Sequence, residues 1–118
     1  MNSLETLKAA RALISTPQKW TQHCMAFSYH PSIGPKVVDP RNSEAICWCA
    51  AGAIMAQPGD SEDLRHLIPL LNAGIPKDFP EQHCSMTRVI QYNDSKTHSE
   101  VLAMFDATIA SLEDDKCS

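Results

Sequence analysis

Apolar residues recur at helical spacing along most of this chain and at alternate positions in one short stretch. Leu4, Leu7, Ala10 and Ile14 fall on one face of a first helix, with Leu13 at its border, while Glu5, Lys8 and Arg11 can face water. Ser3 is placed to cap that helix, and Ser15-Thr16-Pro17 stops it. Trp20 follows as an expected core anchor. From residue 24 to 41 the pattern changes. Met25, Phe27 and Tyr29 alternate with smaller or polar neighbours, and Pro31, Gly34 and Pro35 punctuate the middle. This predicts a two-stranded hairpin with a long turn, which must lie against helices because an isolated hairpin is marginal.

A second helix is predicted over about 44–57, capped by Asn42 or Ser43. It is crowded with small residues: Ala45, Ala50, Ala51, Gly52, Ala53 and Ala56. Ile46, Cys49, Ala53 and Ile54 form one apolar face, and Trp48 spreads apolarity around the rest, which marks a central helix. Gly52 costs roughly 1 kcal/mol relative to Ala within a helix, so close approach by another backbone is expected there. Asp60 or Ser61 caps the next pattern, Leu64, Leu67, Ile68 and Leu71, which Pro69 should kink or divide. Gly74 is a natural stop. A fourth helix is read over 82–92, broken by residues 93–96. Thr97-His98-Ser99-Glu100 then matches the capping box S/T-x-x-E ahead of the stripe Val101, Leu102, Phe105, Ile109 and Leu112. The expected fold is mainly α: a compact bundle of four to six helices, with a small β-hairpin or long loop inserted between about 25 and 39. Residues 1–112 should form a single domain and 113–118 a disordered tail.

The length of 118 residues fits one domain, and 43% hydrophobic with 20% charged residues is ordinary for a globular chain. The net charge of −4, with ten scattered Lys and Arg, argues against nucleic acid, whose binding needs clustered cations. No stretch approaches the ~20 apolar residues of a membrane span, and the charges in the first helix argue against a signal peptide. Five cysteines, an odd number in a chain of this size, read as free thiols in a reducing cytoplasm. Cys47 and Cys49 are spaced C-x-C, not the C-x-x-C of redox and zinc motifs. His23, His30, His66 and His83 are scattered without H-x-x-x-H spacing, so neither a metal nor a cofactor is expected.

Three stretches stand out together: Trp20-Thr21-Gln22, then residues 46–54 (ICWCAAGAI), then Tyr92-Asn93-Asp94 leading to Thr97-His98-Ser99-Glu100-Val101-Leu102. Their order and spacing resemble a bacterial and phage family of unknown function, DUF6197, whose members look like W-T-x-G, W-C-A-x-G-A-L and W-N-D … T-H-x-E-V-L-A-L. The resemblance runs from the first helix to about Ile109. Tyr92 stands where members usually have Trp, and Gln22-His23 replaces the early Gly. The resemblance implies no activity.

Two functional expectations remain. One gathers Cys49, His98 and Asp94 into a catalytic site, since a thiol nucleophile needs a base and that base an orienting group, with Asn93 adjacent. It would make the protein a small cysteine-dependent hydrolase or transferase. Against it, Cys49 is read as lying some six residues inside its helix, beyond the turn that activates thiols. The favoured expectation is a small non-enzymatic binding or interaction protein, an accessory or phage-borne modulator of a host system. It would contact another protein or a small ligand through Asn93, Tyr92, Trp48 and Tyr29, with a homodimer as a further option. In this second reading Asn93 or Asp94 lies beside His98 in a structural clasp between the last two helices.

Overall fold

The computed structural model describes residues 2–81 and 84–117, with side chains to residue 114. The described residues form five α-helices and a three-stranded sheet: α1 (Ser3–Leu13), β1 (Ala26–His30), β2 (Gly34–Val37), β3 (Cys47–Trp48), α2 (Ala50–Met55), α3 (Ser61–Arg65), α4 (Ser85–Ser95) and α5 (His98–Cys117). Short 3-10 helices occupy Pro17–Lys19 and Ile68–Gly74. The fold is mainly α, and the predicted hairpin is a sheet of order β2-β1-β3, antiparallel throughout.

The third strand comes from the stretch read as the start of a helix. Cys47 pairs with Phe27 and Trp48 with Ala26. The Ile46 N–H donates to the Phe27 carbonyl at 2.9 Å, and the Cys49 N–H to that of Met25 at 3.1 Å. Ladder pairing with β1 outweighs the helical pattern of residues 44–49. Trp20 adds a parallel bridge beside Trp48, where the Thr21 N–H donates to the Trp48 carbonyl at 3.0 Å. Cys49 becomes the N-cap of α2, its sulfur accepting from the Gly52 N–H at 3.2 Å. At the other end of α2, Arg41 donates to the carbonyls of Met55 at 3.1 Å and Gln57 at 3.0 Å, and to that of Gly59, satisfying acceptors that the helix leaves open.

α2 is central, as its apolar surround predicts: Ala50, Ala51, Gly52, Ala53 and Ile54 are all buried. Gly52 is required by close approach. A Cβ built there would stand 1.8 Å from the Met25 carbonyl oxygen, so any side chain would push β1 away from the helix. Gly74 meets α5 in the same way, its added Cβ falling 2.1 Å from the Met104 carbonyl oxygen.

Elsewhere the helices follow their local signals. Asn2, one residue before the expected Ser3, caps α1 by accepting from the Glu5 N–H at 2.8 Å. Asp60 caps α3, and Pro69 lies in the 3-10 segment that follows, so the apolar stripe is divided in two. α4 continues through Asn93 and Asp94 to Ser95, later than expected, and Gln82 and His83 lie outside the described residues. In the capping box the Thr97 N–H donates to Glu100 Oε1 at 3.1 Å and the Glu100 N–H to Thr97 Oγ1 at 3.3 Å. α5 then packs Val101, Met104, Phe105 and Ile109 into a core shared with Leu7, Ile14, Ile54, Leu71 and Val89.

Candidate functional site

Asn93 sits at the meeting point of the three sequence stretches. It is 1% exposed, on the inner face of α4. Its Oδ1 accepts from Trp20 Nε1 at 2.8 Å and from the Ala50 N–H at 3.0 Å. Its Nδ2 donates to the Thr21 carbonyl and to Asp94 Oδ1, both at 3.1 Å. One amide thus serves the N-terminal segment, the start of α2 and its own helix. Every polar atom of the side chain is used, as burial requires.

Around it the neighbouring segment is held twice more. Gln22 Nε2 donates to the carbonyls of Asn93 and Lys96, each at 3.0 Å. Asp94 Oδ1 accepts from the His23 N–H at 2.8 Å. His23 has φ +71°, a left-handed conformation uncommon for a residue with a Cβ. The Asp94 bond pins that turn. Gln22 therefore contributes a side chain to the junction.

The expected direct contact of Asn93 or Asp94 with His98 is replaced by an indirect one. His98 Nε2 lies 2.6 Å from the Ile14 carbonyl oxygen, joining the start of α5 to the end of α1. Its ring centroid is 5.5 Å from that of Trp20, whose indole reaches Asn93. Cys49 faces elsewhere: its sulfur lies 3.9 Å from Met25 Sδ as well as accepting from Gly52. Among the described residues no hydrogen bond joins Cys49 to His98, or His98 to Asp94 or Asn93.

As an N-cap, Cys49 is closer to helix amides than its sequence position suggests. Burial nevertheless dominates its chemistry. It pushes the thiol up to about 11, outweighing the Gly52 and Ala51 N–H groups that lower it, and the nearby Asp94 charge adds to the rise. Cys84 shows the reverse. It is exposed, caps α4, and is lowered by the Thr87 hydroxyl and then by the Thr87 N–H. Cys24, Cys47, Cys49 and Cys84 are free thiols.

Tyr92 and Trp48 make contacts of their own. Trp48 Nε1 donates to the Pro40 carbonyl at 2.9 Å, tying the sheet to the loop before it. Tyr92 meets Phe79 edge-on with centroids 5.0 Å apart, and the pair lines an open cleft of about 510 Å³ with Asp78, Ser95, Lys96 and Glu100. Lys96 Nζ stands 5.7 Å from the Phe79 centroid and 6.0 Å from that of Tyr92. Burial raises the Tyr92 phenol, and the Glu100 and Asp78 carboxylates raise it further.

The opposite wall of the cleft rests on a residue that sequence reasoning passed over. Arg88 is 5% exposed. Its guanidinium donates to the carbonyls of Pro76 at 3.1 Å, Phe79 at 2.8 Å and Pro80 at 3.1 Å, and to Asn72 Oδ1 at 2.7 Å. The sequence carried no signal for this role beyond an arginine within the expected fourth helix. Tyr29 lies on the sheet, 61% exposed. It shares one face with Phe27, Pro35 and Val37, because Tyr29 pairs with Pro35 and Phe27 with Val37.

Among the described residues no helix is long and apolar enough to cross a membrane. A family model described as "Family of unknown function (DUF6197)" matches residues 1–111. No curated protein and no solved structure matches the chain.

Proposed function

The chain belongs to the DUF6197 family, and on that premise we propose that it is a small non-enzymatic binding protein whose ligand seats in the cleft between Phe79 and Tyr92. The observation that carries this reading is the Arg88 anchor. Three hydrogen bonds from one buried guanidinium hold residues 76–80 as a fixed wall before anything binds, and a fourth ties the guanidinium to Asn72; preorganisation of that kind lowers the ordering cost of association. The facing wall offers aromatic surface, and two carboxylates, Asp78 and Glu100, stand against one cation, Lys96. Such a rim suits a ligand or peptide side chain carrying a positive group over an aromatic base.

A protein partner is favoured over a free small molecule by a second surface. Tyr29, Ile33 and Val37 are 61%, 68% and 69% exposed, and they cluster on one hairpin. Exposed apolar residues grouped on one hairpin support an interaction surface there. Accessory action on a host protein is consistent with both surfaces.

The alternative, a cysteine-dependent hydrolase or transferase using Cys49, His98 and Asp94, draws no support from these contacts. The thiol is buried and raised, and the imidazole is engaged by Ile14 and Trp20.

Amide chemical-shift mapping with a library of basic and acidic peptides tests the proposal. Basic peptides should shift residues 76–80 and 92–100, and Asp78→Lys should remove the effect while leaving the spectrum folded. Binding of acidic peptides alone, or perturbations confined to the Cys49 region, would overturn it.

A further inference from the structure

A second cavity, apart from the cleft, lies where the 22–25 bend passes over the start of α2. It measures about 160 Å³ and is lined by His23, Cys24, Met25, Cys49, Ile90 and Asp94. We propose that this cavity binds a monovalent, thiophilic cation of the copper(I) class through Cys49 Sγ and Met25 Sδ, with Cys24 or His23 as a third donor.

The spacing carries the argument. Cys49 Sγ and Met25 Sδ are 3.9 Å apart. Metal–sulfur bonds of about 2.3 Å meeting at a trigonal angle place two sulfurs ~4 Å apart, so the pair already has the span of two sulfurs sharing one ion. Nothing needs to move to bring them together. The Cys49 N–H bond to the Met25 carbonyl, 3.1 Å, holds the two residues side by side. The absence of a side chain at Gly52 lets α2 close on the Met25 backbone. Asp94 holds the His23 turn over the cavity by its 2.8 Å bond. The backbone that carries the donors is therefore held on both sides of the cavity.

The donor chemistry selects the ion. Thiolate and thioether sulfurs favour soft cations, whereas hard cations need carboxylate or carbonyl oxygen. Among the described residues no group of three His, Cys, Asp or Glu side chains is arranged to hold a metal. That leaves no ligand set for zinc, which takes four such donors in structural sites. An ion that accepts two or three sulfurs, one of them a thioether, remains. Charge points the same way. In the free protein the Cys49 thiol proton lies toward Met25 Sδ. The cation replaces that proton, forming a sulfur–metal bond as the S–H bond breaks and one proton leaves to solvent. A monovalent ion that replaces one thiol proton leaves the charge of the cavity, Asp94 included, as it is in the free protein, whereas a divalent ion would add one unit.

The test is an anaerobic copper(I) titration of the full chain against a chromophoric copper(I) chelator, in a Cys84→Ser, Cys117→Ser background that leaves Cys24, Cys47 and Cys49 as the thiols. One equivalent should bind, with release of one proton, and zinc(II) should not compete. Met25→Leu keeps the volume of the side chain and should leave the melting temperature of the free protein near that of the parent, yet weaken copper(I) binding at least tenfold. Cys49→Ser should abolish binding, and X-ray absorption of the loaded parent should show two or three sulfur neighbours. Unchanged affinity in Met25→Leu would overturn the proposal, even if Cys49→Ser failed to fold. So would zinc(II) competing at equal concentration.

Discussion

Trp20 donates its indole N–H to the side-chain oxygen of Asn93 across 73 residues of chain. The same oxygen also takes the Ala50 amide, so the N-terminal segment and the central helix share one acceptor. That makes Asn93 a structural keystone, and its replacement a sharp test. Asn93→Leu leaves the Trp20 and Ala50 donors buried without an acceptor, at a cost of about 2–5 kcal/mol. Denaturant unfolding measures it.

Asn93→Asp separates the acceptor from the donor half of the amide. It keeps an oxygen for Trp20 and Ala50 but turns the other toward the Thr21 carbonyl and the Asp94 carboxylate, where Asn93 now donates. Those neighbours favour the protonated acid, so its folded pKa lies above the unfolded value of about 3.9. A raised folded value gives stability that is present at low pH and lost as pH rises through it. The variant should approach the parent near pH 4 and fall behind it by pH 7, and parallel melting curves at the two values check this.

Gly52→Ala should destabilise, reversing the usual effect of this change within a helix. Helix propensity alone favours Ala by roughly 1 kcal/mol. The added Cβ would fall 1.8 Å from the Met25 carbonyl oxygen, and separating β1 from α2 outweighs that gain by about 2 kcal/mol or more. A melting temperature at or above that of the parent would contradict the close approach.

Arg88→Met keeps the aliphatic stem but frees the carbonyls of Pro76, Phe79 and Pro80. Stability should fall by about 2–4 kcal/mol, since buried bonds to a charged group are lost. Residues 76–80 should become the first site of limited proteolysis, and peptide binding in the cleft should weaken by more than the stability loss explains.

The thiols should react in a fixed order. Among the described thiols Cys84 is exposed and lowered, so of those four it should be alkylated first at pH 8, and Cys49 last. Because the folded value of Cys49, about 11, lies above its ordinary 9.0, the folded state holds that proton more tightly than the unfolded chain. Its contribution is complete below pH 9 and is lost as pH rises from about 9 to about 11, a change of order 2–3 kcal/mol. Comparing parent and Cys49→Ser across that window isolates it from Tyr92.

The features legible in the sequence are those decided within a few residues. The Thr97–Glu100 box, the Asp60 cap and the break at Pro69 each depend on neighbours one turn away, and each forms as read. The approach at Gly52 was legible as a cost in need of a reason, though its partner Met25 was not. Residues 44–49 misled because small apolar residues satisfy a helical pattern, while the choice of strand rests on pairing with Phe27 and Ala26, some twenty residues earlier. Asn93 was visible as a motif position and as one member of a clasp. Its partners Trp20, Thr21 and Ala50 lie 73, 72 and 43 positions away, distances over which periodicity carries no information.

The Asn93 junction also constrains the order in which the chain can be completed. Trp20, Thr21 and Ala50 are made before Asn93, and the side chain that satisfies them arrives only with the fourth helix. At synthesis rates of about 5–20 residues per second, those groups wait for several seconds before their partner exists. No fragment ending before residue 93 can bury the central helix without stranding its first amide. The domain is therefore indivisible in a temporal sense: it cannot mature from one end, and its native state is reached only after α4 has been made. A ribosome-bound series of increasing length should show protease resistance appearing abruptly, once α4 and α5 have both emerged.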